Sequence, residues 1–288
     1  MPYNLKHIST RFSSLNMTGQ QSPLVSVLFI TYKRFDLLKP TVESFLRNTD
    51  YPNLELVIAD DGSGSEIQAQ IRTLPAHRFS LPEKHRGLGA NNNSGLRLCT
   101  GKYILMIQDD WLCHGPSDYL SNAVAVLEAN PEVGIINFAG VNHPPDFNRR
   151  LKGNDQPCYV TPVPMISHKE EFLYCDQPHI RSRAVLNSIG YYVENRDMDK
   201  CEVDYSTRWK QQTLFLTAVF PAYYMSVFSN EGVLQGRSHR LAKFRYRLAA
   251  FVEPIRPLLA RRSPALLRAG RWGMQKTVAI LEALRLVR

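Results

Sequence analysis

The amino-acid sequence predicts an α/β fold: a mostly parallel central sheet flanked by helices, with a basic helical C-terminal extension. Three observations predict it. Short apolar runs of strand length alternate with segments whose apolar residues recur at three- and four-residue steps. Such regular alternation builds a parallel sheet covered on both faces. Three strand ends carry polar clusters, Thr31-Tyr32-Lys33-Arg34, Asp60-Asp61 and Asp109-Asp110. In open α/β sheets ligands bind beyond the carboxyl ends of the strands.

Residues 1–22 are polar and without period, and read as a loose arm. The run 24–30 reads as a buried strand, and Leu37, Leu38, Val42, Phe45 and Leu46 mark the helix after it. A second strand at 54–59 leads into the turn-rich Asp60-Asp61-Gly62-Ser63-Gly64, then a helix over 66–74. Another helix is expected at 90–98, a third strand at 103–107, a helix at 118–129 and a strand at 133–138. Residues 140–178, dense in Pro, Asn, His and Asp, read as a long functional loop. Helices follow at 184–189 and 203–212, and strands at 214–219 and 223–228.

Composition narrows the class. The 288 residues are 44% hydrophobic and 21% charged, which excludes collagen-like and low-complexity chains. No uninterrupted apolar stretch of about 18 residues exists, so no transmembrane span is expected. The first residues lack the apolar core of a secretory signal. Five cysteines without a CxxC pair make neither a disulfide framework nor a zinc ribbon, and a cytoplasmic setting is expected. The charge is uneven: residues 237–288 hold 13 Lys/Arg against 2 Asp/Glu, whereas the first 236 are nearly neutral. With apolar stripes at Leu241, Phe244, Leu248 and Val252 and at Val278, Leu281, Leu284 and Val287, the tail suits an anionic membrane surface. Packing on the body or homo-oligomerisation are the alternatives. No recognised module accompanies the charge, so no nucleic-acid partner is expected.

Carboxylate oxygens are hard ligands, so Asp109-Asp110 at a strand tip could hold Mg²⁺ or Mn²⁺; a solvated helix-capping loop is the plainer reading. Asp60-Asp61 could accept from a nucleobase or ribose, or simply fold its own turn. The His85-Arg86-Gly87-Leu88-Gly89 loop opens a helix whose N-terminus could receive a phosphate or sugar hydroxyl. It is not a dinucleotide fingerprint, and no Walker pattern occurs.

Four blocks occur in order: residues 25–34 (VSVLFITYKR), 55–63 (ELVIADDGS), 86–95 (RGLGANNNSG) and 101–110 (GKYILMIQDD). Together they resemble the family 2 glycosyltransferases of the GT-A fold, over roughly residues 24–212. The resemblance implies a nucleotide-sugar donor, UDP-linked in the first instance, Mn²⁺ or Mg²⁺, transfer with inversion, and a glycan or lipid-linked acceptor in surface polysaccharide synthesis. By position it implies nucleotide contacts from Thr31, Tyr32, Arg34, Asp60, Asp61 and Asp109. It implies metal contacts from Asp110, with Asp109 beside it. Acceptor contacts are expected from Trp111, His179 and Arg183. Aligning Arg208 with the arginine of the family's Glu-Asp-x-Asp segment puts the general base at Glu202, with Asp204 in reserve. The chain departs from the family at Trp111, where a further acid is frequent, and at Asn91-Asn92-Asn93, where Ala-Arg-Asn is frequent. The expected domains are an arm at 1–22, a catalytic domain at 23–236 dividing near residue 112, and the tail at 237–288. A nucleotidyltransferase, or a catalytically degenerate glycan- or partner-binding member of the same fold, are the competing functions.

Overall fold

The computed structural model describes residues 22–138, 146, 148–153, 156–161, 177–195, 198–211, 214–220 and 227–229. The N-terminal arm before residue 22, most of the loop at 140–178 and the basic tail lie outside the described residues.

The first unit runs β1 (Val25–Thr31), α1 (Phe35–Asn48), β2 (Leu54–Asp60), α2 (Ser65–Ile71), β3 (Arg78–Ser80), α3 (Leu88–Leu98) and β4 (Tyr103–Gln108). The chain continues through β5 (Leu112–Cys113), α4 (Tyr119–Ala129), β6 (Val133–Asn137), β7 (Tyr159–Thr161), β8 (His179–Ser182), α5 (Arg183–Ile189), α6 (Met198–Gln211), β9 (Leu216–Val219) and β10 (Phe228–Ser229). Eight strands form one sheet in the order β3-β2-β1-β4-β8-β6-β9-β7, and β10 pairs with β5 beside it. β3, β2, β1 and β4 are mutually parallel, and β9 is parallel to β6. β8 runs antiparallel between β4 and β6, and β7 antiparallel to β9.

Strand alternation feeds two cores. Val25, Val27 and Phe29 face α1 (Leu38, Val42, Phe45) and α4 (Tyr119, Leu120, Ala123). Leu28, Ile30, Val57 and Ala59 face α3 (Leu96), α5 (Val185, Leu186) and α6 (Tyr205, Trp209). Central strands buried on both faces read as nearly continuous apolar runs, which is why β1, β2 and β4 are legible despite the buried Ser26 and Glu55. Each fully buried Leu, Ile or Phe contributes about 1.5–3 kcal/mol.

β8 departs from the sequence reading, which assigned no strand there. His179 and Arg181 alternate with Ile180, and all three are buried. A strand that turns His and Arg inward carries no apolar signature. Arg181 is fully buried: its Nη1 donates to the Tyr205 hydroxyl at 2.9 Å, and its guanidinium lies over the stacked rings of Tyr192 and Tyr205. Those aromatic faces replace part of the lost hydration. α6 also begins earlier than the expected 203.

Candidate active site

From β1 the chain crosses to β2 and β3 on one side, then returns to β4 on the other. The order therefore reverses between β1 and β4, and a crevice opens at their carboxyl ends. Thr31 ends β1, and Asp109 follows β4. The Asp109 amide donates to the Ile30 carbonyl at 3.0 Å. Thr31 Oγ1 donates to Asp109 Oδ2 at 2.8 Å, and Thr41 Oγ1 of α1 donates to the Asp109 carbonyl at 2.7 Å. Burial pushes the Asp109 carboxyl up to about 6; the Thr31 hydrogen bond and the Arg34 charge oppose the rise, while the Asp110 charge adds to it.

Arg34 closes this arrangement. Lys33 takes a left-handed backbone (φ 54°) and reverses the chain out of β1. Such backbone in a non-glycine residue stores strain and clusters at functional sites. Arg34 then precedes α1, its carbonyl accepting from the amides of Leu37 and Leu38. Its Nη2 lies 2.9 Å from Asp110 Oδ2 and 3.2 Å from Asp109 Oδ1. Asp110 Oδ1 is buried and has no hydrogen-bond partner among the described residues.

That orphaned oxygen bears on the divalent ion the family implies. Among the described residues no group of three His, Cys, Asp or Glu is gathered for a metal. A small hard cation asks for less from the protein: one or two carboxylates, with substrate phosphates and water completing the shell. Asp110, with Asp109 beside it, fits that requirement.

Two buried acids at the end of β2 have different employment. Asp60 is held by its own turn, accepting from the Ser63 amide at 2.8 Å, from the Ser63 hydroxyl and from Gln68 Nε2 at 3.0 Å. Asp61 instead reaches across to the next loop. It accepts from the amides of Arg86 and Gly87, each at 2.9 Å, and its Oδ2 lies 2.9 Å from His85 Nδ1. Gly62 (φ 76°) permits the close approach, since a Cβ there would lie 2.4 Å from the Lys84 carbonyl carbon. Tyr32 stacks on His85, ring centroids 4.4 Å apart. Tyr32, Asp61 and His85 thus converge at the N-terminus of α3, and Asp60 faces away into its turn.

The second half is held against the first by α3. Asn93 Nδ2 donates to the Tyr192 carbonyl (2.9 Å) and to Glu194 Oε1 (2.8 Å), and Asn93 Oδ1 accepts from the Tyr192 amide (2.9 Å). Asn91 donates to the carbonyls of Thr31 and Ala59, bridging the tips of β1 and β2 from below. A Cβ on Gly89 would lie 2.2 Å from the Val193 carbonyl oxygen and 3.2 Å from Cys201 Sγ. On α6, Tyr205, Ser206 and Trp209 are buried, and Glu202 continues their stripe one turn nearer the helix start. Asp204 lies off that stripe, its Oδ2 taken by Arg208 Nε at 2.9 Å and Nη2 at 2.7 Å. The same arginine donates to the carbonyls of Ile189 and Tyr191.

The three expected acceptor contacts lie in different surroundings. Trp111 is buried in the core around α1 and α4. His179 lies near the carboxyl end of β4 but is fully buried, with its Nδ1 2.8 Å from the Gln177 carbonyl. Burial, and then the Arg181 charge, lower its pKa to about 3. Arg183 sits at the opposite end of the sheet, where it donates to the carbonyls of Gly101 and Cys99 and its amide donates to Lys102. The sequence reading placed His85 in a loop that could receive a phosphate or sugar hydroxyl, but it gave Asn93 no part in tying the 192–194 segment to α3. A polar residue inside a helix that abuts strand tips was the available signal for Asn93.

These features define a class. The family model described as glycosyl transferase family 2 matches residues 26–189, more than half of the 288 residues, and the chain belongs to that family. It is 28% identical over 123 residues to the putative glycosyltransferase EpsH of Bacillus subtilis, covering 41% of this chain and 35% of that protein. It is 25% identical over 123 residues to the GalNAc(5)-diNAcBac-PP-undecaprenol beta-1,3-glucosyltransferase of Campylobacter jejuni, covering 41% and 38%. The chain thus spans well under half the length of these curated relatives. Among solved structures, S. aureus TarS 1–349 in complex with UDP-GlcNAc matches with a TM-score of 0.50 and 19% identity, covering 67% of this chain and 55% of that chain. That likeness bears out the expected GT-A fold.

Proposed function

We propose that the protein transfers a sugar from a nucleotide-sugar donor to a hydroxyl of a glycan or lipid-linked acceptor, with inversion and with a divalent ion. The observation that carries the proposal is the meeting of Thr31, Arg34, Asp109 and Asp110 at the β1/β4 crevice, with Asp110 Oδ1 buried and unpartnered among the described residues. Membership of the family supports sugar transfer. The TarS fragment's UDP-GlcNAc makes UDP-sugars the first donors to test, and the Campylobacter relative's undecaprenol-linked substrate supports a lipid-linked acceptor.

In this reading residues 23–236 form the catalytic domain, with the donor half ending near residue 112. Tyr32, Asp61 and His85 frame the base, and Thr31 and Asp109 lie at the ribose. Asp110, with Asp109, would hold Mn²⁺ or Mg²⁺, which when bound neutralises charge on the departing diphosphate. Arg34 brings a guanidinium fork suited to phosphate oxygens. Glu202 withdraws the proton from the acceptor hydroxyl on the face opposite the leaving group, and a single displacement inverts the anomeric carbon. The tail's 13 basic residues support docking on an anionic membrane beside a lipid-linked acceptor. Among the described residues no helix is long and apolar enough to cross a membrane.

A thermal-shift panel of nucleotide sugars with and without Mn²⁺ tests the donor half, because a ligand bound to the folded state alone raises its stability. One or more UDP-sugars should raise Tm only when Mn²⁺ is present. A flat panel, with no nucleoside diphosphate released on incubation with those sugars, would remove the proposal.

A further inference from the structure

The Arg34 guanidinium occupies the region where a divalent cation would meet the two acids. Its Nη2 touches both carboxylates, at 2.9 Å and 3.2 Å. Its side chain is 43% exposed, whereas those of Asp109 and Asp110 are 4% and 16% exposed, so it covers the acids from the solvent side. The Arg34 backbone is fixed by the start of α1, and the side chain is the part free to swing. A metal about 2.1 Å from the unpartnered Asp110 Oδ1 would lie at most about 7 Å from Nη2, and one that also reached Oδ2 within about 5 Å. Both distances are inside the Debye length of about 8–10 Å, so the two cations repel without effective screening.

We propose that Arg34 is an internal counter-cation that competes with the divalent ion for Asp109 and Asp110 and yields to it when a nucleoside diphosphate arrives to receive the guanidinium. Before ligand binds, Arg34 relieves the repulsion between adjacent carboxylates. Metal alone must displace it into water. Metal with nucleotide gives it a new anionic partner, since a guanidinium pairs bidentately with phosphate. The two ligands therefore bind with positive coupling, and each raises the affinity of the other by the same factor. The inference rests on the donor reading above and goes beyond it by assigning the coupling to one side chain.

The test is Mn²⁺ binding to the full chain, measured by electron paramagnetic resonance of free Mn²⁺, with and without UDP. Wild type, Arg34→Gln and Arg34→Lys are compared, with folding checked by circular dichroism in EDTA. Wild type should bind Mn²⁺ weakly alone and at least tenfold more tightly with UDP. Arg34→Gln should bind Mn²⁺ alone about tenfold more tightly than wild type and lose most of the gain from UDP. Arg34→Lys, which keeps the charge, should stay near wild type for Mn²⁺ alone. An Arg34→Gln protein that binds Mn²⁺ alone no better than wild type overturns the inference, even if UDP and Mn²⁺ bind wild type together. If UDP fails to bind wild type with Mn²⁺ present, the donor reading falls and takes the coupling with it; the Mn²⁺-alone comparison still decides whether Arg34 competes for the acids.

Discussion

Replacing Asp109 by Asn should make the metal-free protein more stable while abolishing transfer. Asp109 is 3% exposed and its carboxyl is raised from 3.8 to about 6, chiefly by burial. The native state thus holds this proton more tightly than the unfolded chain does. Stability from this group is full below about pH 3.8, declines as pH rises through 3.8 to 6, and stays reduced above that. The whole shift corresponds to about 3 kcal/mol at pH 7.5 and to roughly half that at pH 5. Asn is isosteric and can still accept from Thr31 Oγ1, but it loses the attraction to Arg34, 3.2 Å away. The net gain expected at pH 7.5 is about 1–3 kcal/mol. Urea unfolding in EDTA, wild type against Asp109→Asn at pH 7.5 and pH 5, reads the gain and its narrowing at the lower pH. A variant no more stable than wild type at pH 7.5, or a difference that does not shrink at pH 5, would refute the argument that the buried charge is held at a cost.

Glu202→Gln should lower turnover by about 10²–10⁴-fold with the fold retained, whereas Asp204→Asn, which loses an exposed pair with Arg208, should cost less than about 1 kcal/mol and keep turnover within a few-fold; initial rates with circular dichroism decide between them. His179 is buried in its neutral form with its pKa lowered from 6.5 to about 3, so its contribution is present above pH 6.5 and is lost as pH falls toward 3, about 5 kcal/mol in all. A His179→Gln variant should show a flatter decline in urea midpoint between pH 6.5 and 4. Gly89→Ala should destabilise by about 1–3 kcal/mol, because its Cβ meets the Val193 carbonyl oxygen at 2.2 Å; a melt within 1 °C of wild type would contradict that packing.

The β1/β4 crevice was legible because its residues lie at the ends of strands that are almost wholly apolar. Once β1 and β4 are recognised, Thr31, Arg34, Asp109 and Asp110 follow at their tips. Hydrogen-bond employment was not legible. Asp60 and Asp61 are neighbours of one type, yet one serves its own turn and the other the loop before α3. Only the chain path through Gly62 decides which. The surroundings of β8 were harder because that strand inverts the usual rule. His179 and Arg183 read as acceptor contacts; the pleat puts His179 and Arg181 inside and carries Arg183 to the far end of the sheet. Trp111, an aromatic beside the acids, packs in the core cluster around α1 and α4.

The departures at Asn91 and Asn93 look different once their partners are known. Asn91 ties the tips of β1 and β2, and Asn93 ties the 192–194 segment that leads into α6. The same helix begins where Asp61 holds the Arg86 and Gly87 amides, and its Gly89 lets Val193 and Cys201 pack closely. α3 therefore connects the loop beside Tyr32 to the segment that leads into the helix bearing Glu202. Buried amides suit that work better than a charge would. Asn93 donates and accepts in the same place and Asn91 donates to two carbonyls, without the desolvation cost of an ion. An arginine at position 92, as frequent in the family, would have to be buried at a site that is now 1% exposed. What reads in the sequence as a missing cation is, in the folded chain, a set of neutral hydrogen-bonding groups that hold the two halves of the crevice in register.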